Sequence, residues 1–133
     1  MSALTPPLTY RLVAPSRADT PRLARDWVTL VLRAAGQDRL VERARLCTSE
    51  VVTNAHQHTA TPEIGVEVLL QGDVVTVYVY DSAPDRWPAG GGGLFDTCGR
   101  GLDLVRAYAD DWSVVMLDDG TAKAVWFSLG SRE

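Results

Sequence analysis

Hydrophobic and polar positions alternate in several short segments of this chain. The alternation beginning at Leu8 has a period of two and predicts a strand that ends before Pro15. Apolar and β-branched residues also alternate or cluster over 64–70 and 74–80. The turn residues Gln71-Gly72-Asp73 separate these two runs, which predicts an antiparallel hairpin. Two further strands are predicted near the C-terminus, at 112–117 and 122–129.

Other segments repeat with the period of a helix. Asp19-Thr20-Pro21 is typical of a helix start, and Gly36 is typical of a helix end. The apolar face predicted for this first helix consists of Leu23, Trp27, Leu30, Val31 and Ala34. A second helix is predicted from near Asp38 to about His58, with Leu40, Val41, Ala44, Cys47, Val51 and Ala55 on its apolar side. A third helix follows Gly99-Arg100-Gly101.

This order of elements predicts an α/β two-layer sandwich, in which a mostly antiparallel sheet carries the helices on one face. The 133 residues allow one domain, so we expect a single domain over 1–133. Residues 82–98 lack sustained periodicity. A connection of that length in a compact domain is usually a lid or a binding loop.

Composition narrows the classes of function. The net charge of −4 and the pI near 5.1 argue against a general nucleic-acid binder. The two cysteines form no C-x-x-C motif, so neither a disulfide framework nor a zinc site is predicted. The chain shows no signal-peptide pattern and no apolar run long enough to span a membrane. We therefore expect a cytoplasmic protein that binds neither nucleic acid nor membrane.

Three residues in the predicted elements, which form two candidate sites, carry acidic or amide groups suited to chemistry. Glu50 and Asn54 lie four residues apart in the second helix, so their side chains project from one face. A carboxylate and an amide oxygen at that spacing can act on a hydrated Mg²⁺ or on a water, although an ordinary solvated helix face has the same pattern. Asp81 ends an apolar strand, where it could accept a hydrogen bond from a purine amine or simply begin an Asx-turn.

A third candidate is the stretch Gly99-Arg100-Gly101-Leu102 at the start of a helix. Backbone N–H groups, the helix dipole and a guanidinium together favour an anion there, although an ordinary helix can also start with glycine. His56 and His58 are two apart and do not face the same way on a helix, so a metal site formed by them is disfavoured.

In combination, these features have a recognisable order: Glu50-x-x-x-Asn54 on a helix, Asp81 at a strand end, a glycine-rich loop, and Gly99-x-Gly101-Leu102 opening a helix. This succession resembles the Bergerat-fold ATP-binding domain of the GHKL superfamily, in particular the stand-alone bacterial serine kinases that act as anti-sigma factors. The resemblance extends from about Leu8 to Leu129.

The resemblance implies a role for each candidate residue. Asn54 would coordinate the Mg²⁺ that bridges the ATP phosphates, and Glu50 would be the general base for a serine hydroxyl. Asp81 would contact the adenine amino group. The phosphates would lie against Gly99, Gly101 and Leu102, with Arg100 nearby, and the loop would form a lid over ATP.

The implied function is an ATP-dependent protein serine kinase and anti-sigma factor. Its partners would be a sigma factor and an anti-anti-sigma protein of the STAS type, with a homodimer formed through the first strand and helix. Two departures motivate an alternative, a GHKL-like regulator that sequesters a partner without ATP turnover. No glycine lies two residues after Asp81, and the final strand begins Ala122-Lys123-Ala124 where relatives have Gly-Thr or Lys-Thr.

Overall fold

The computed structural model describes residues 6–59, 61–81, 102–117 and 122–130, and its strands form one sheet. The strands are β1 (Leu8–Pro15), β2 (Glu63–Gln71), β3 (Val74–Asp81), β4 (Asp111–Leu117) and β5 (Ala122–Leu129). Their order in the sheet is β1-β2-β3-β5-β4, and each of these neighbouring pairs is antiparallel. The helices are α1 (Thr20–Ala34), α2 (Val41–His58) and α3 (102–108), with a 3₁₀ turn at Asp38–Leu40 before α2. The predicted α/β two-layer sandwich is confirmed.

The core lies between the helices and one face of the sheet. Alternate residues of each central strand point to that face because successive side chains of a strand point to opposite sides. The largest fully buried strand residues are Ile64, Val66, Val68, Val75, Val77, Phe127 and Leu129. They belong to one cluster with the buried residues of α1 and α2, so a single core holds the sheet and helices together. No helix in the described ranges is long and apolar enough to cross a membrane.

The predicted apolar face of α1 is only partly right: Val31 is buried and Trp27 packs against the core, whereas Ala34 is exposed. Leu23 and Leu30 are 50% and 68% exposed. Besides Val31, the helix buries Thr20, Ala24, Val28, Thr29 and Leu32. Both sets recur at helical spacing, so periodicity cannot choose between them. The small and β-branched side chains of the buried set permit close packing on α2, and Thr29 satisfies its hydroxyl by donating to the Arg25 carbonyl at 3.0 Å.

The turn and end signals read from the sequence are largely confirmed. Gly36 follows α1 at φ 75°, and Gly72 lies in the β2–β3 turn at φ 62°. One boundary differs, because β1 continues through Pro15, which pairs with Glu63. Since β1 is an edge strand, the missing N–H of a proline at its last position removes no bond that the sheet needs.

The Gly130→Ala variant is expected to lose about 2 kcal/mol or more of unfolding free energy. Gly130 has φ 90°, and an added Cβ would lie 2.3 Å from the Asp73 carbonyl oxygen. The matched control is Gly72→Ala, where φ is also positive but no atom lies within 4 Å, so we expect a loss of about 1 kcal/mol. Urea unfolding measures both variants. Equal losses would show that the contact with Asp73 has no energetic weight.

Candidate functional site

Glu50 and Asn54 lie on α2, as predicted, and both side chains are half-buried. They stand outside the buried stripe of the helix, which consists of Val41, Ala44, Cys47, Thr48, Val51, Val52 and Ala55. That stripe packs on the sheet and fixes the rotation of α2. The carboxylate and the amide are therefore held on the side of the helix that is not used for the core.

Glu50 opens onto a groove between α1 and α2. The groove has a volume of about 360 Å³ and is lined by Arg25, Glu42, Arg45, Leu46, Ser49 and Glu50. The Arg45 guanidinium is held by α1, since its Nη1 lies 3.4 Å from Asp26 Oδ1 and donates to Thr29 Oγ1 at 3.2 Å. Glu50 thus faces a groove that is open to solvent and that Arg25 and Arg45 also line.

Asp81 is the last residue of β3 and faces Lys123 of β5 directly across the sheet. Lys123 Nζ lies 3.2 Å from Asp81 Oδ2. The side chains are only 6% and 2% exposed, for Lys123 and Asp81 respectively, so this is a buried ion pair. The preceding helix-facing pair of the two strands is apolar, Val79 with Val125. The helix-facing side of these two strands therefore changes from apolar to charged residues at the Asp81–Lys123 pair.

Asn54 is chemically suited to the metal that the resemblance implies. Within the described residues, no group of three or more His, Cys, Asp or Glu side chains could form a metal site. Magnesium does not require such a group, because it usually keeps several waters and takes few protein ligands together with substrate phosphates, and an asparagine can be one of them. A single amide oxygen at the edge of the core fits that requirement.

The residues that the resemblance assigns to the phosphates are described only in part. Gly99, Arg100 and Gly101 lie outside the described residues, as do the loop 82–98 and Cys98. Leu102 begins α3, and its side chain is buried in the core with Val105. The start of α3 is thereby anchored against the sheet.

The other reactive side chains of the described residues do not form a second centre. His56 Nδ1 lies 2.9 Å from Ser16 Oγ, whereas His58 is exposed, in accord with their opposite directions on the helix. Burial raises the pKa of Cys47 to about 12, so this thiol stays protonated and belongs to the core.

Sequence reasoning did not assign site roles to Lys123, Arg25 or Arg45. Lys123 stands second in a strand, where a lysine is ordinary, and only the β3–β5 register places it opposite Asp81. Arg25 and Arg45 come from different helices and meet only through the packing of α1 on α2. The sequence signal that could have identified Lys123 is the alternation in β5, which places Lys123 on the same face as Val125 and Phe127.

The chain belongs to the histidine kinase-like ATPase domain family, part of the GHKL superfamily: the family's sequence model matches residues 14–129. The match includes Glu50, Asn54, Asp81 and Lys123. Domains of this family typically bind ATP with Mg²⁺. No curated protein matches the chain in a sequence comparison.

Proposed function

We propose that this protein is an ATP-dependent protein serine kinase that acts as an anti-sigma factor. The observation that supports this proposal is that Glu50, one helical turn from Asn54, lines a solvent-accessible groove in a chain of this ATPase family. The proposed acceptor is a serine of an anti-anti-sigma protein of the STAS type, and the proposed second partner is a sigma factor. Transfer of labelled phosphate from ATP to such an acceptor tests the activity.

The proposed reaction is a direct transfer of the γ-phosphoryl group. The serine oxygen bonds to the γ-phosphorus while the bond to the leaving ADP oxygen breaks, and Glu50 takes the hydroxyl proton. Asn54 would hold Mg²⁺, which when bound neutralises charge on the phosphate oxygens. Such a reaction needs mainly positioning and charge stabilisation, which the rigid placement of Glu50 and Asn54 on α2 supplies.

The remaining proposed contacts are with the nucleotide. Asp81 would accept a hydrogen bond from the base, and Leu102 with Gly99, Arg100 and Gly101 would border the phosphates. The anchoring of Leu102 in the core would hold the start of α3 at the phosphates. A loop closing over the nucleotide would exclude water from the transfer.

Mg-ATP is expected to bind the wild-type protein with a Kd tighter than about 100 μM, or about −5.5 kcal/mol. Asn54→Ala removes the proposed metal ligand and should weaken binding at least about tenfold, or 1.4 kcal/mol. The matched control is Gln57→Ala, an exposed residue of the same helix, which should leave the Kd unchanged. Calorimetry gives all three values. Equal binding by Asn54→Ala and wild type would remove Asn54 from the site.

One observation favours a second function, a regulator that sequesters a protein partner without ATP turnover. The carboxylate proposed to contact the base is engaged in a buried ion pair with Lys123. A folded wild-type protein that binds a sigma factor but shows no heat of binding with Mg-ATP would support this alternative over the kinase.

We also propose a homodimer formed through β1 and α1. β1 is an edge strand of the sheet, and large apolar side chains on these two elements are exposed: Leu8, Tyr10 and Val13 on β1, Leu23 and Leu30 on α1. An edge strand with exposed apolar residues favours association with another chain.

Leu30→Glu is expected to shift the protein from dimer to monomer, because a carboxylate would be buried at the proposed interface. Val115→Glu is the control, since Val115 is also an exposed apolar residue but lies on β4 at the opposite edge of the sheet. Size-exclusion chromatography with light scattering measures the mass. A monomeric wild type would contradict the proposed dimer.

A further inference from the structure

The Asp81–Lys123 ion pair is unusual in its burial. Among the described residues, these two are the only charged residues in the buried set, and they lie at the end of an otherwise apolar helix-facing surface. Removing two charges from water is unfavourable, and replacing a buried ion pair by apolar residues often leaves stability equal or higher. Because a buried ion pair is weak evidence for stability alone, this pair is a candidate for a role in binding.

The pair also offers a different hydrogen-bonding pattern from that of a carboxylate alone. An ionised carboxylate only accepts hydrogen bonds, so it suits a purine with an amino group at position 6 and repels a carbonyl oxygen there. An ammonium only donates, and here it lies 3.2 Å from the carboxylate. The Asp81 carboxylate, an acceptor, and the Lys123 ammonium, a donor, therefore lie next to each other. The edge of a guanine base, with the O6 acceptor next to the N1–H donor, is complementary to that arrangement.

A nucleotide base would have to bind while the ion pair between Asp81 and Lys123 stays intact. Displacing Lys123 from Asp81 would leave a buried ammonium without its counter-charge, which is strongly unfavourable. A carboxylate has about four lone-pair positions, so Asp81 can accept from the ammonium and from a base at the same time. With its Nζ 3.2 Å from Asp81 Oδ2, Lys123 would then be close enough to donate to a group at position 6 of the base.

We propose that Lys123 contacts the nucleobase together with Asp81, and that the pair lets the site take guanine nucleotides as well as adenine nucleotides. The inference rests on the proposed nucleotide-binding function and names its substrate class. Asp81 receives N1–H of a 6-oxopurine while Lys123 donates to O6. With adenine, Asp81 alone receives the 6-amino group, so Lys123 adds a base contact only for a 6-oxopurine.

Titration of the wild-type protein with Mg-ATP, Mg-GTP and Mg-ITP tests the proposal without any substitution. We expect the three dissociation constants to lie within about tenfold of one another, or 1.4 kcal/mol. ITP should behave like GTP, because it keeps O6 and N1–H and lacks only the 2-amino group. Binding of ATP with GTP and ITP more than about a hundredfold weaker, or 2.8 kcal/mol, would overturn the inference and leave the proposed function standing. A folded protein that binds none of the three would overturn both.

Lys123→Met removes the donor while keeping a long side chain. We expect this variant to lose at least about tenfold in affinity for GTP and ITP relative to ATP, or 1.4 kcal/mol. A purely structural lysine would lower all three affinities equally, and that result would contradict the inference. Circular dichroism and a melting curve establish that the variant is folded. If it is not, the comparison of the three nucleotides on the wild type decides.

Discussion

Asp81→Asn is expected to lower the free energy of unfolding by about 3–5 kcal/mol. The substitution removes the negative charge 3.2 Å from Lys123 Nζ, and both side chains are almost wholly buried. The lysine is then left as a buried ammonium without its counter-charge. The loss exceeds that of an ordinary surface substitution by several fold. Urea unfolding followed by circular dichroism measures it.

Two controls separate this effect from other consequences of the substitution. The double variant Asp81→Asn with Lys123→Met should recover most of the lost stability, since it removes both charges. Asp73→Asn makes the same chemical change at an exposed position in the β2–β3 turn and should change stability by less than about 0.5 kcal/mol. If Asp81→Asn is as stable as the wild type, the ion pair is not a stabilising contact.

The double variant also resolves an ambiguity in binding experiments. If Asp81→Asn alone lost nucleotide binding, the cause could be either the missing base contact or the lower stability of the fold. In a double variant of wild-type stability, a weaker affinity for ATP reports on the base contact itself.

Glu50→Gln is expected to lower the rate of phosphoryl transfer by about 10²–10⁴-fold. The amide keeps the size of the side chain but cannot take the proton of the serine hydroxyl. The Kd for Mg-ATP should stay close to the wild-type value, because metal and phosphate binding are proposed for other residues. Single-turnover transfer from labelled ATP to an anti-anti-sigma protein measures the rate, and calorimetry measures the affinity.

Glu42→Gln is the matched control. Glu42 lines the same groove between α1 and α2, so its replacement changes the charge of the groove by the same amount. The transfer rate of this variant should remain near that of the wild type. Transfer by Glu50→Gln at the wild-type rate would remove the general-base role, and equal losses in both variants would assign the effect to the charge of the groove.

Much of the fold could be predicted from local patterns. The β2–β3 hairpin followed from apolar alternation on either side of Gln71-Gly72-Asp73, and β5 was predicted with the bounds that the structure shows. The buried side of α2 was also predicted, because Ala44, Cys47, Val51 and Ala55 recur at helical spacing without a competing stripe.

α1 shows where local patterns fail. Its larger apolar residues, Leu23 and Leu30, form one stripe, and Ala24, Val28 and Leu32 form another. Hydrophobicity favours the first stripe, but packing against α2 selects the second. The surface of α2 decides which of the two stripes is buried, and the local sequence of α1 carries no information about that surface.

The amino-acid sequence by itself determined the class of fold and the positions of Glu50, Asn54 and Asp81 within their elements. These properties depend on periodicity, turn residues and short spacings, which a chain carries locally. Only the tertiary structure decided which side chains lie next to these residues. Lys123 lies opposite Asp81 because β3 and β5 pair in one antiparallel register, and a shift of that register by one residue would turn Lys123 to the other face of the sheet. Likewise, Glu50 shares a groove with Arg25 because α1 packs against α2.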